Sequence, residues 1–292
     1  MQNINVVCDE IMLLGEGPLW HPEEKCLYWV DIEAAKLNRL DINNKKIKQV
    51  KMPHKIGSIA WRKKGGLIAA LSNDFVFIDT EFGKTEIIAS PLTYKQRQSV
   101  MFNDGKCDRQ GRFWAGTKDI TEEKPIASLY CLDTTRKAKE MIHGFTVSNG
   151  IAWSLDNSRM YICDSPKRQI YHYEFDPIKG QLGQCQIFAK IPETEGFPDG
   201  LTVDSEDYVW CCHWDGWQIT RYKPSGEVDG IIPMPVPRPT SCCFGGPDLK
   251  ILYITSASIR LSSSTLMDAP LSGMLFALDV GIKGIAEPPY LG

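Results

Sequence analysis

Glu16-Gly17-Pro18-Leu19-Trp20, Asp104-Gly105-Lys106, Asn149-Gly150-Ile151-Ala152-Trp153 and Asp199-Gly200-Leu201-Thr202-Val203 are variants of one phrase: an acidic or amide side chain, a glycine, then an apolar run. A phrase recurring every roughly 40 to 50 residues is the mark of a repeat architecture. Six segments overlay, starting at Glu16, Gly57, Asn103, Ser148, Pro198 and near Thr240. Each reads as four short strands: one after the Gly, an aromatic-rich second such as Cys26-Leu27-Tyr28-Trp29-Val30-Asp31 or Arg159-Met160-Tyr161-Ile162-Cys163-Asp164, an alternating third and a weaker outer fourth. β-branched and aromatic residues fill the runs, and Gly, Pro, Asn and Asp bound them. Helical periodicity is almost absent. The expectation is an all-β fold, a six-bladed β-propeller of four-stranded antiparallel blades around a central channel, forming one domain over residues 1–292.

Equivalent positions in blades around one axis point at one central place, so Glu16, Asn149 and Asp199 would converge; the same alignment puts Asp104 there too. Two carboxylates and an amide oxygen are hard ligands, without His or Cys, and suit one divalent cation. Ca²⁺ is the first expectation, with Mg²⁺, Mn²⁺ or Zn²⁺ as alternatives. Three protein ligands leave coordination positions open, as a catalytic site requires.

The composition is that of a globular chain, 43% hydrophobic and 24% charged, with net charge −3 and no basic footprint for nucleic acid. No apolar run reaches the roughly 18 to 20 residues that span a bilayer, and Met1-Gln2-Asn3-Ile4-Asn5 lacks signal-peptide character. A cytoplasmic protein, monomeric or weakly dimeric, is expected. Its ten cysteines contain no Cys-x-x-Cys and read as free, buried thiols.

Gly15-Glu16-Gly17-Pro18-Leu19-Trp20, Phe102-Asn103-Asp104-Gly105-Lys106, Gly111-Arg112-Phe113-Trp114-Ala115-Gly116-Thr117, Ser148-Asn149-Gly150-Ile151-Ala152-Trp153-Ser154 and Pro198-Asp199-Gly200-Leu201 resemble phrases of the regucalcin (senescence marker protein), gluconolactonase and luciferin-regenerating-enzyme-like family. The likeness extends through Pro239-Thr240-Ser241-Cys242-Cys243-Phe244-Gly245-Gly246 and Ser272-Gly273-Met274-Leu275-Phe276-Ala277-Leu278. It implies a six-bladed propeller with an axial divalent cation held by Glu16, Asn149 and Asp199, and hydrolysis of a sugar lactone to its aldonic acid; the chemistry of that ligand set suits attack by metal-activated water, with Asp199 taking the proton. It assigns Asn103 rather than Asp104 to substrate. The chain departs from the family at Met101, where many relatives carry Arg, and at Gly116-Thr117-Lys118, where relatives commonly read Gly-Thr-Met; Met101, Asn103 and Lys118 are the substrate-binding candidates. Hydrolysis of another ester or phosphotriester on the same site, or calcium binding with little catalysis, are the alternative functions.

His213-Trp214-Asp215-Gly216-Trp217 is a candidate sugar-stacking wall, and His143 a histidine within possible reach of the site. Lys118 to Pro125 and Arg260-Leu261-Ser262-Ser263-Ser264-Thr265 are candidate mobile loops over it.

Overall fold

Strand propensity and turn chemistry resolve, in the computed structural model, into six four-stranded sheets. Residues 4–81 and 83–292 are described; Met1, Gln2 and Asn3 of the start read above lie outside them. The innermost strands are Gly15–His21, Ile56–Trp61, Val100–Cys107, Ser148–Trp153, Phe197–Val203 and Pro239–Gly245. From each, the chain runs outward through antiparallel neighbours, as from Gly15–His21 through Cys26–Asp31 and Lys36–Asp41 to Lys46–Lys51. Inner strands are buried on both faces, whereas Lys46–Lys51 is charged and exposed. Charge on an outer edge strand discourages pairing with another chain.

Apolar packing sits between blades and accounts for the ring. Tyr28 and Val30 of the first blade share a cluster with Ile59, Trp61 and Val76 of the second. Phe75 of the second meets Phe102 and Phe113 of the third, and Trp114 of the third meets Trp153 and Phe175 of the fourth. Tyr161 and Phe188 pack with Leu201 and Tyr222, Trp210 with Phe244 and Phe276, and Tyr253 of the sixth blade with Trp20 and Trp29 of the first. The last of these clusters joins sixth blade to first, so the ring is closed by burial.

Two features fall outside the sequence expectation. The sixth blade takes its outer strand from the chain start, Asn5–Cys8 pairing with Leu275–Asp279. Four half-exposed residues carry too little alternation to announce a strand. Part of the second expected mobile loop is a short helix, Ser263–Asp268, whose N-cap Ser262 accepts a hydrogen bond from the Thr265 amide. All ten cysteines are unpaired, and Cys185 alone among them is exposed. Among the described residues no helix is long and apolar enough to cross a membrane.

The chain end straps the face of the ring opposite the candidate site. The Ser205 amide donates to the Lys283 carbonyl, the Trp61 indole to the Glu287 carbonyl and the Leu291 amide to the Gly111 carbonyl. Tyr290 is fully buried, with its hydroxyl on the Asp133 carbonyl. Tyr290→Ala should cost about 3–5 kcal/mol, as emptying a large aromatic site does, measured by denaturant unfolding. A loss under about 1 kcal/mol would show that the strap adds nothing to the core.

Candidate metal and active site

Every inner strand breaks register with its neighbour near the phrase that the sequence repeats. The irregularities fall between Glu16 and Leu19, Ile56 and Ser58, Phe102 and Gly105, Asn149 and Ile151, Pro198 and Leu201, and Pro239 and Cys242. A bulge inserts a residue, bends the strand and re-aims side chains. Here it turns polar side chains into the channel from strands otherwise filled with core residues. Glycine follows for steric reasons: Gly150 sits at φ +49°, and a Cβ on Gly200 would lie 2.1 Å from the Ser241 hydroxyl.

The bulges bring Glu16, Asn103, Asn149 and Asp199 to one cavity of about 470 Å³, with Lys118 in its lining. The Asn103 side-chain amide donates to Asn149 Oδ1 at 2.7 Å and to the Ser148 carbonyl at 3.1 Å. Asn149 Nδ2 donates to Ser165 Oγ at 3.0 Å, and Ser165 donates to the Pro198 carbonyl at 2.7 Å. These bonds fix the amide with its oxygen toward Asn103 and leave that oxygen a second lone pair. Glu16 Oε2 accepts from the Gly17 amide at 3.0 Å, while Asp199 Oδ1 is buried without a hydrogen-bond partner. Burial, then the nearby Asp104 carboxylate, push Glu16 up to about 8. Burial, then Glu16 and Asp104, hold Asp199 well above the usual carboxylate range.

Entry loops are pinned just ahead of each candidate ligand. Asp31, ending the first blade's second strand, accepts from the Leu13 and Leu14 amides at 2.9 and 3.2 Å, next to Glu16. Asp164 accepts from the Thr146 and Val147 amides at 3.1–3.2 Å, next to Asn149. In the fifth blade His213 serves the comparable place, donating from Nδ1 to the Glu195 carbonyl at 2.8 Å ahead of Asp199. The recurrence of Val30-Asp31 and Cys163-Asp164 at second-strand ends is the sequence signal for these positioning residues.

Other candidates divide. Asp104 turns to the far side of the bulge, accepts from the Gly105 amide at 2.7 Å, and lines a smaller cavity with Lys106 and Glu287. Met101 packs against the core cluster of the first two blades and is not among the cavity-lining residues, whereas its cross-strand partner Lys118 is. Trp214 and Asp215 line the cavity; His213 is buried beneath them, and Trp217 is 42% exposed. His143 stands on an outer strand, its side chain 62% exposed, against Ser128 and Glu140 and away from the cavity. Glu122 and Arg260 of the two expected mobile loops both reach the lining, as do Glu33, Ser165 and Arg238, which the repeat phrases do not flag.

No group of three His, Cys, Asp or Glu side chains among the described residues is arranged to hold a metal ion; the set here is two carboxylates and an amide. Its chemistry still fits a hard divalent cation. Both carboxylates are buried, Glu16 raises Asp199, one of their oxygens lacks any donor, and an amide oxygen beside them is held in one orientation. A cation supplies the positive charge and the partner for their lone pairs that these atoms lack.

A family model described as the SMP-30/Gluconolactonase/LRE-like region matches residues 14–258, and the chain belongs to that family. It is 36% identical over 292 residues to a 6-deoxy-6-sulfogluconolactonase of Pseudomonas putida, covering 100% of this chain and 99% of that one. It is 32% identical to regucalcin of Xenopus laevis, covering 100% of both. Among solved structures, a calcium-binding protein, regucalcin, from Agrobacterium tumefaciens superposes with a TM-score of 0.94 at 24% identity, covering 99% of this chain and 97% of that chain, and shows the same fold.

Two measurements follow from this geometry. Without metal, Glu16→Gln removes like-charge repulsion and should leave Tm unchanged or raised, while the Tm increase produced by added Ca²⁺ should largely vanish. An undiminished Ca²⁺ shift would remove Glu16 from the ligand set. Burial pulls His213 down to about 4, so between that value and its unfolded 6.5 the unfolded chain binds the extra proton. The contribution of neutral His213, on the order of 3 kcal/mol, is complete above pH 6.5 and is lost as pH falls toward 4. Unfolding free energies across that window should show a shallower pH slope in His213→Gln than in the parent; equal slopes would refute this.

Proposed function

We propose that the protein hydrolyses a sugar lactone, an aldonolactone such as a glucono-, xylono- or arabinono-lactone, to the open aldonic acid, acting as one propeller unit with a divalent cation at Glu16, Asn149 and Asp199. The observation that carries this reading is the buried pair of carboxylates beside an oriented amide in an open cavity, in a chain whose relatives include a sugar lactonase. When bound, Ca²⁺ or another hard cation supplies Lewis-acid polarisation of the ester carbonyl.

The chain's own residues supply the remainder. Asp199 Oδ1, buried and without a donor, accepts the proton of the attacking water, while the other carboxylate oxygen would face the cation. Water oxygen bonds to the carbonyl carbon, the ring ester C–O bond breaks, and the proton passes to the departing hydroxyl. Asn103 spends its side-chain N–H groups on Asn149 and Ser148, leaving its carbonyl oxygen for a substrate hydroxyl. Lys118 Nζ, held at 2.8 Å by Glu122 and with its side chain 13% exposed, places positive charge where an oxyanion or sugar oxygen meets it. Phe197 and Trp214 offer apolar walls to the sugar ring.

A pH-drop assay over a panel of aldonolactones, with chelator and after restoring each divalent metal, tests the reading. Turnover should disappear with chelator and return with a hard cation. Asp199→Ala should abolish it, at least about 10³-fold in kcat, whereas Asn103→Ala should act mainly by raising KM about tenfold. Hydrolysis of no lactone with any metal, together with tight Ca²⁺ binding, would replace the enzyme with a calcium-binding protein. Normal turnover and metal content in Asp199→Ala would remove that residue from the mechanism.

A further inference from the structure

The cavity reaches well beyond its carboxylates. About 470 Å³ lies in the range of sites that enclose drug-sized ligands, and its walls carry charges apart from the ligand set. Most of these are spoken for. Glu33 is paired with Lys55 at 2.6 Å. Arg238 is held by Asp215 at 2.5 Å, donates to the Ile259 carbonyl and lies over the Trp214 ring. Glu122 has taken Lys118 at 2.8 Å. Arg260 is left over: its one ion-pair contact is the same Glu122 carboxylate, at 3.4 Å, and its side chain is 68% exposed. One carboxylate serving two cations leaves a surplus positive charge at the cavity mouth.

The backbone beneath that guanidinium is fixed. The Ser258 and Ile259 amides both donate to the Leu13 carbonyl, at 3.1 and 3.0 Å, and Arg238 grips the Ile259 carbonyl from the other side. Arg260 itself sits at φ +58°, a left-handed conformation that a bulky side chain adopts only when its surroundings impose it. A rigid base with an unsatisfied fork is the arrangement that binds a planar or tetrahedral oxyanion, since guanidinium donors match two oxygens at once. Depth orders the wall in the same sense. The Lys118 side chain is 13% exposed, that of Glu122 35% and that of Arg260 68%, so Lys118 lies deepest and Arg260 outermost.

We propose that Arg260 binds an anionic group at the end of the substrate farthest from the lactone carbonyl, so that the preferred substrate is an aldonolactone whose terminal carbon bears a carboxylate, sulfonate or phosphate. The inference rests on the lactonase reading above. On binding, the anion replaces Glu122 as the partner of Arg260, and Glu122 keeps Lys118.

Kinetics with three groups of probes test it: D-glucono-1,5-lactone, its 6-phosphate and 6-deoxy-6-sulfo analogues, and a lactone ending in a carboxylate. The parent enzyme should favour at least one anionic lactone over the neutral one by about tenfold or more in kcat/KM, and the preference should shrink as salt is raised. The arms show which anion fits best. Arg260→Ala should reduce the preference at least tenfold through KM, and Arg260→Lys should retain part of it. Turnover of the neutral lactone with no preference for any anionic one, or equal losses on neutral and anionic lactones in Arg260→Ala, would overturn the assignment and leave the lactonase reading standing. Turnover of no lactone at all would sink both.

Discussion

Glu16 and Asp199 are two carboxylates buried in the lining of one cavity, and the fold is organised around holding them there. Burial opposes ionisation of both carboxylates, with Asp104 adding to it at Glu16, and Glu16 and Asp104 adding to it at Asp199. They stay together because each is carried by a different inner strand, and those strands are fixed by packing that does not involve the carboxylates. Trp20 stacks on Tyr253 across the closure of the ring, and Tyr161 meets Phe188 and Phe188 meets Tyr222 across the junction of fourth and fifth blades. Apolar contacts at the blade interfaces thus hold electrostatic strain at the axis. Strain of this kind can be relieved by a ligand that brings the opposite charge.

The bulges make that division of labour possible. A regular strand sandwiched between two blades presents one face to each neighbour and nothing to the channel. Inserting a residue at Asn149–Ile151 or Pro198–Leu201 adds a third direction at the point where a polar group is wanted, and apolar alternation resumes at once with Ile151-Ala152-Trp153 or Leu201-Thr202-Val203. The same device explains why Asn103 and Asp104, adjacent on one strand, serve different parts of the channel. One reaches the upper cavity and the other the small cavity shared with Lys106 and Glu287.

Legibility in the sequence tracked the range of the interaction. The blade count and inner strands were readable because four of the blades repeat the same local chemistry of polar residue, Gly and apolar run, and because short strands bounded by turn residues recur at the same interval in the other two. The placement of Asn103 against Asp104 was not decidable from spacing alone, since a one-residue choice within a bulge depends on how the strand is re-aimed. Met101 illustrates the same limit: it reads as a site residue because relatives carry Arg at that position, yet its side chain packs against the core of the first two blades. Arg238, Glu33 and Ser165 lie in loops outside the repeated phrases, and their approach to the site depends on contacts between blades. The closing strand Asn5–Cys8 was missed for a related reason, because its partner is about 270 residues away in sequence.

The two ends of the channel are chemically unlike, and the asymmetry sets the direction of access. At one end the carboxylates face an open cavity whose walls are formed by loops and ionic side chains. At the other, Lys106 Nζ is satisfied twice, by Glu287 at 2.7 Å and by the Leu201 carbonyl at 3.1 Å, and Glu287 belongs to the strap formed by the chain end. That strap supplies the counter-charge for Lys106, whose other carboxylate neighbour is Asp104. Closing the channel at Lys106 therefore does more than cap the ring. It keeps Lys106 paired with Glu287, apart from the cavity that Glu16 and Asp199 line.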